Sequence, residues 1–289
     1  MSELMIEKVK PEDKDEIIEL SSKIWEGHDY IPKVFDDWAA DGGFYKGVLK
    51  GKIVGVDKYT RHSEKVIWLE GLRVHPEYQK KGYGREIAEG VRDILEEEED
   101  YEVLRFMTAK GNVESIHMAE KAGFEKVVDL YSLRWRREEG ERRGAKIGNI
   151  EMVEESRMDE VWEMIRGSDE FRENGGFYIP NWTAYDMDKE LVKREIEKKK
   201  CFGFFIDGGL DALSFYDLYE PYDIITIPFI CGSGRGVRKL IWEGLHLVEV
   251  GEHEYLGIKT GSERIKAMAL ELGLEITDHE KALIYELRS

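Results

Sequence analysis

Hydrophobic and polar positions change period in a regular way along this chain. Residues 4–9, LMIEKV, alternate as a short strand. Residues 11–25, PEDKDEIIELSSKIW, then place Ile17, Leu20 and Ile24 on one helical face, with Pro11 suited to the first turn. Residues 44–62 read as two strands around Lys50-Gly51, a hairpin, and 65–74, KVIWLEGLRV, as a long apolar strand. Ile87, Val91, Ile94 and Leu95 predict a helix over 84–100 with its acids facing outward. A strand at 101–109, a helix at 112–123 and a strand or strand pair at 124–136 follow.

Residues 136–149, RREEGERRGAKIGN, are charged and poor in apolar side chains. They divide the chain into an expected domain at 1–137, a linker at 138–149 and a second domain at 150–289. Beyond the linker the order repeats: strand 149–156, helices 158–165 and 188–199, strands 201–207 and 210–218, and a buried strand at 224–230. The Gly-rich CGSGRG, a helix at 237–248, a strand at 255–260, a helix at 262–273 and a strand at 282–287 complete it. Tyr30-Ile31-Pro32 returns as Tyr178-Ile179-Pro180, Gly82 and Gly84 as Gly234 and Gly236, and Gly123 as Gly273. A shared offset of about 150 residues makes duplication the better explanation than chance.

Composition narrows the function. The 289 residues are 42% hydrophobic, enough for a sizeable core, and the net charge of −18 argues against a nucleic-acid surface, which needs clustered cations. The two cysteines, Cys201 and Cys231, sit in apolar runs, read as buried thiols and lack metal-ligand spacing, so no metal is expected. No basic segment followed by an apolar stretch opens the chain and no apolar run is long enough for a membrane span, so a cytoplasmic protein is expected. Gln occurs once and Asn four times among abundant Glu, Lys and Arg, a balance suited to a thermophile.

The chemistry concentrates in QKKGYG, residues 79–84, between a strand and a helix. Glycines there let backbone amides approach a ligand, and the helix start directs free N–H groups at the same point, which suits a pyrophosphate. An ordinary Gly-rich turn is the alternative. The spacing is neither that of a P-loop nor that of a dinucleotide fold.

WLEGLRVHPEYQKKGYGREIA resembles motif A of the GCN5-related N-acetyltransferases (GNAT), and NVESIHMAEKAGF, 112–124, resembles their second motif. The resemblance implies an α/β (α+β) fold of two tandem GNAT-like domains, each a mixed central sheet flanked by helices. It also implies acetyl-coenzyme A as acetyl donor, lying where the strand at 66–74 parts from the strand at 103–108. Leu72, Arg73 and Val74 would meet the pantetheine and thioester. Gln79, Lys80, Lys81, Gly82, Tyr83, Gly84 and Arg85 would surround the pyrophosphate, with Asn112 and Ser115 on the pantetheine arm.

Attack by a neutral amine on a thioester needs a base and an oxyanion donor. Glu70, an acid in an apolar strand, is the candidate base, with a plain salt bridge to Arg73 or Lys65 as the alternative. The Val74 amide is the expected oxyanion donor. Many relatives carry a Tyr that protonates the departing thiolate, and here Ala119 stands in its place. Either another acid serves, with Tyr131 as candidate, or the thiolate leaves unaided. His117 reads as a packing or surface residue.

The second half keeps the element order without the motifs. Its strand IITIPFI has no acid, and Cys231 precedes Gly234-Arg235-Gly236 where an Arg or Gln is usual. It is expected to lack catalysis. WEGHDYIPKVFDDW together with WLEGLRVHPEYQKKGYG is similar to the histidine N-acetyltransferase-like family. That resemblance implies a small amine acceptor, such as the α-amino group of an amino acid, though not specifically histidine. Tyr30, Trp38 and Glu70 are then the expected substrate-binding residues, with Tyr178 and Trp182 on a far wall or domain interface. A protein acetyltransferase and a non-catalytic coenzyme A sensor are the rivals, and a monomer or homodimer is expected.

Overall fold

A computed structural model describes residues 4–138 and 148–289, so most of the expected linker lies outside the described residues. The chain divides into two compact units, Met1–Phe106 with Glu120–Phe124 and Glu286–Ser289, and Met107–Ala119 with Glu125–Tyr285.

In the first unit, β1 (Leu4–Lys8), β2 (Phe44–Leu49), β3 (Lys52–Arg61), β4 (Val66–Val74) and the start of β5 (Val103–Ala109) lie side by side in that order. The first four are mutually antiparallel, whereas β4 and β5 run parallel. Helices α1 (Lys14–Ser21), α2 (Ile31–Asp41) and α3 (Tyr83–Glu98) complete the unit. Ile17 and Leu20 of α1 and Ile31 and Phe35 of α2 bury their side chains with Phe44, Ile53 and Val56. Ile87, Val91 and Leu95 are the buried stripe of α3, as their spacing predicts.

The pattern assigns no helix to the first YIP segment, yet the structure begins one there. Pro32 occupies the first turn of α2, where a missing N–H forfeits no helical bond. The last residues of the chain also fold into the first unit. Arg105 of β5 donates from Nε to Glu286 Oε1 at 2.9 Å, and both side chains are 3% exposed.

The second unit holds most of α4 (Val113–Lys121), then β6 (Glu125–Arg136), β7 (Ile150–Met152), α5 (Met158–Gly167) and α6 (Asp169–Glu173). The short hairpin β8 (Phe177–Tyr178) and β9 (Tyr185–Asp186) precedes α7 (Lys189–Glu197), β10 (Cys201–Ile206), β11 (Gly209–Phe215) and β12 (Asp217–Tyr219). Next come β13 (Ile224–Ile227), β14 (Ile230–Gly232), α8 (Gly234–Val250), β15 (Tyr255–Thr260), α9 (Glu263–Glu271) and β16 (Glu275–Arg288). One sheet runs β16-β6-β15-β13-β12 and another β14-β11-β10-β7. Val237, Leu240, Ile241 and Leu245 of α8 pack on Ile227, Leu256 and Ile258. Both cysteines are free and buried.

Candidate active site

The first unit contains a strand split with a local cause. Pairing of β4 with β5 runs from Val66↔Val103 to Trp68↔Arg105 and stops. On its other edge β4 pairs Glu70 with Lys58 and next Arg73 with Val56, so three steps along β4 match two along β3. The extra residue is a bulge at Gly71-Leu72, and Gly71 has φ +76°, a conformation that glycine adopts without a Cβ penalty. A Cβ at Gly71 would come within 2.7 Å of the Trp38 ring. A bulge bends and twists its strand, and it falls where β4 and β5 cease to pair.

Glu70 stands at this bend, half-buried. Its Oε1 accepts a hydrogen bond from Thr60 Oγ1 at 2.7 Å, and Thr60 Oγ1 accepts from Lys58 Nζ at 2.8 Å. Lys58 is fully buried and pairs with Asp41 at 3.0 Å. Burial raises the Glu70 carboxyl above its ordinary range, against lowering by Thr60 and Lys58. Asp57, beside it in β3, is raised by burial to about 7, with the Glu70 charge pushing the same way and Arg73 opposing.

Tyr30 and Trp38 meet edge to face with ring centroids 5.7 Å apart. Arg73 lies with Cζ 5.2 Å from the Tyr30 ring centre and 4.2 Å from that of Trp25. Its guanidinium forks onto Asp29, Nε to Oδ2 at 2.7 Å and Nη2 to Oδ1 at 3.1 Å, in a pair 9% and 1% exposed by side chain. The structure therefore gathers Tyr30, Trp38, Glu70 and Arg73 in one cluster. Arg73 is committed there to Asp29, and Glu70 bonds to Thr60 rather than pairing with Arg73 or Lys65.

The helix α3 begins beside the end of β4. Gly82 is its N-cap in the left-handed region, φ +91°, and no side chain caps the first turn. A Cβ at Gly82 would meet nothing nearer than Glu86 Oε1 at 3.9 Å, so the approach to the helix start is open. Gly84 permits close packing, since a Cβ there would sit 3.3 Å from the Val74 side chain. Gln79 Nε2 donates to the Val74 carbonyl at 3.0 Å, and Lys81 Nζ to the Glu77 carbonyl at 2.7 Å. Lys80 and Arg85 are exposed, Leu72, Val74 and Tyr83 half-buried. The free N–H groups of a 16-residue helix and two exposed cations make a site for an anion.

The remaining expected site residues lie in the second unit. Asn112 Oδ1 accepts from the Ser115 amide at 3.2 Å, capping α4, and Ala119 is buried in that helix. Tyr131 donates its hydroxyl to Glu263 Oε1, and its ring lies under Lys266 and Lys281 at 4.0 and 4.6 Å. Tyr178 is 2% exposed and packs edge-on against Phe215, within a core. Trp182 is half-buried against Lys259 and His279. Asp29, Asp57, Lys58 and Thr60 were not among the expected site residues. Asp29 and Asp57 break apolar or aromatic runs, a signal available in the sequence, but their convergence depends on strand register.

A split parallel strand pair, a half-buried carboxylate at the bend and an uncapped helix beside it thus come together in the first unit. Residues 14–124 match the model of the Acetyltransferase (GNAT) family. The whole chain is similar in fold to a GCN5-related N-acetyltransferase from Sphaerobacter thermophilus, at 11% identity and a TM-score of 0.70, covering 100% of this chain and 96% of that one. It is similarly related to a tandem GNAT protein from the clavulanic acid biosynthesis pathway, at 11% identity and a TM-score of 0.66, covering 99% and 98%. In sequence it is 32% identical over 104 residues to the UPF0157 protein YqkA of Bacillus subtilis (strain 168), a match spanning 35% of this chain and 29% of that protein's length. The match to the GNAT acetyltransferase family thus lies in residues 14–124, and the whole chain has a fold similar to that of a tandem GNAT protein. Among the described residues no helix is long and apolar enough to cross a membrane, and no cluster of ligands could hold a metal.

Proposed function

We propose that the first unit transfers the acetyl group of acetyl-coenzyme A to the primary amine of a small molecule, with the α-amino group of an amino acid as the acceptor class. The observation that carries this reading is Glu70, a carboxylate held at the bend of the split and raised by burial. Acetyl-coenzyme A supplies the thioester. The residues fit its diphosphate, because the α3 start has free N–H groups, an open approach at Gly82 and exposed Lys80 and Arg85.

Glu70 presents Oε2 to the acceptor, since Oε1 is engaged by Thr60. It takes the proton from the incoming ammonium, a task that suits a carboxyl raised toward neutrality. Thr60, fixed by Lys58, holds the carboxylate in one orientation. Tyr30 and Trp38 offer aromatic faces beside the Glu70 carboxylate, a combination that attracts an ammonium. The Val74 amide would polarise the carbonyl of a bound thioester; as nitrogen replaces sulfur on the acetyl carbon, the thiolate would leave as an anion and the nitrogen would lose its extra proton to water.

Thiol release from acetyl-coenzyme A, measured against free amino acids, polyamines and peptides, tests this reading. Turnover is expected on a small free amine. Turnover on peptides alone would transfer the assignment to protein acetylation, and tight coenzyme binding with no turnover on any amine would make the protein a sensor.

A further inference from the structure

The second unit has its own strand split, and its occupant is part of the chain. Pairing of β13 with β15 runs from Ile224↔Tyr255 to Ile227↔Ile258, and Pro228 then carries the chain away to β14 in the other sheet. Residues 174–182, which include the second YIP, bridge the gap. The Ile179 amide donates to the Pro228 carbonyl at 3.1 Å on one side. On the other, Asn174 Oδ1 accepts from the Gly261 amide at 2.7 Å and Thr260 Oγ1 at 3.3 Å.

At the mouth of this bridged split lies Lys259. Its Nζ is 4.5 Å from the centre of the Trp182 ring and 3.4 Å from Asn181 Oδ1. Among the described residues no carboxylate lies within ion-pair distance, although the chain carries 61 acids against 43 Lys and Arg. His279 of β16 meets Trp182 edge-on at 5.4 Å; burial, then the charges of Lys259 and of Arg134 in β6, lower its pKa, while Asp278 raises it, so the imidazole leaves Lys259 as the cation of the group. Asn181 is 8% exposed and accepts from Lys259 Nζ through Oδ1, which holds the ammonium beside the Trp182 ring.

We propose that Lys259, Asn181 and Trp182 form a binding site for the carboxylate of a small organic acid. A single ammonium that has no carboxylate of its own, flanked by an aromatic ring, matches the single charge that a carboxylate brings. A phosphate is held by several convergent N–H groups or guanidinium forks, and this site has neither. Desolvation lowers the Lys259 ammonium to about 7, so above neutrality the bound carboxylate recruits a proton to Nζ. Below neutrality Lys259 is already charged and binding takes up none.

An NMR titration of the full chain with sodium acetate tests this, following the Trp182 indole N–H signal, assigned with Trp182→Phe. A saturable shift is expected, with a dissociation constant on the order of millimolar, weakened roughly tenfold or more in Lys259→Met and retained in His279→Gln. The unchanged signals of the other tryptophans show that the variants fold. Paired calorimetry at pH 8 in buffers of different ionisation enthalpy is expected to show proton uptake that disappears at pH 6. No saturable shift, an equal shift in Lys259→Met, or a response to inorganic phosphate but not acetate would overturn the assignment.

Discussion

The two units part their strands by different devices and use the result in opposite ways. In the first, a bulge at Gly71 bends a continuous strand, and the α3 start beyond it has no side-chain cap. In the second, Pro228 breaks the strand, Ser233 caps α8 by accepting from the Gly236 amide at 3.0 Å, and residues 174–182 bond across the gap. Helix-terminal N–H groups left without partners cost stability unless water or a ligand supplies them. The second unit satisfies one of them with the Ser233 side chain, whereas the first has no side-chain cap and keeps them available, together with a raised Glu70. A shared topology therefore says little about where chemistry occurs, and the unmet hydrogen-bonding capacity says much more.

Glu70→Gln breaks the comparison most directly on the chemical side. Turnover is expected to fall about 10²–10⁴-fold, the usual contribution of a general base, while coenzyme affinity stays the same. The acid limb of the pH–rate profile, set above the ordinary carboxylate range by the raised Glu70, should vanish with it. Unchanged turnover would remove Glu70 from the mechanism. Asp29→Ala leaves Arg73 buried and unpaired, and thermal or denaturant unfolding is expected to show a loss of about 3–5 kcal/mol.

Asp57 sharpens the electrostatic side. Its folded pKa of about 7 lies above its ordinary value of 3.8, so the folded state holds the proton more tightly between those values. The associated stability is complete below about pH 4 and is lost as the pH rises through 7. Asp57→Asn should flatten that dependence and raise the unfolding temperature at pH 8 relative to the native chain. An undiminished slope between pH 5 and 8 would place the titration elsewhere. The smallest effect is expected at Ser233→Ala, about 1 kcal/mol for a lost cap, with no change in coenzyme affinity.

Much of the first split was legible in the sequence because its candidate residues sit at fixed spacing. Gly82 and Gly84 mark a helix start, and Glu70 interrupts an apolar strand. Asp57, Lys58 and Thr60 were not, because a one-residue bulge decides what faces Glu70, and bulge position leaves little trace in periodicity. The repeated YIP shows the limit of a motif. Tyr30 stands at the N-cap of a helix and meets Trp38 and Arg73, whereas Tyr178 ends a two-residue strand inside a core. The tripeptide survives while the hydrogen bonds of the second copy serve to close its split.

The central claim is that the first split takes coenzyme A and the second does not. Calorimetric titration of the full chain with coenzyme A tests it, using Lys80→Glu with Arg85→Glu at one helix start and Arg235→Glu at the other. The account predicts one coenzyme per chain, lost with the first pair of substitutions and unaffected by the second. Two coenzymes per chain, or binding that survives the first pair and disappears with Arg235→Glu, would contradict it.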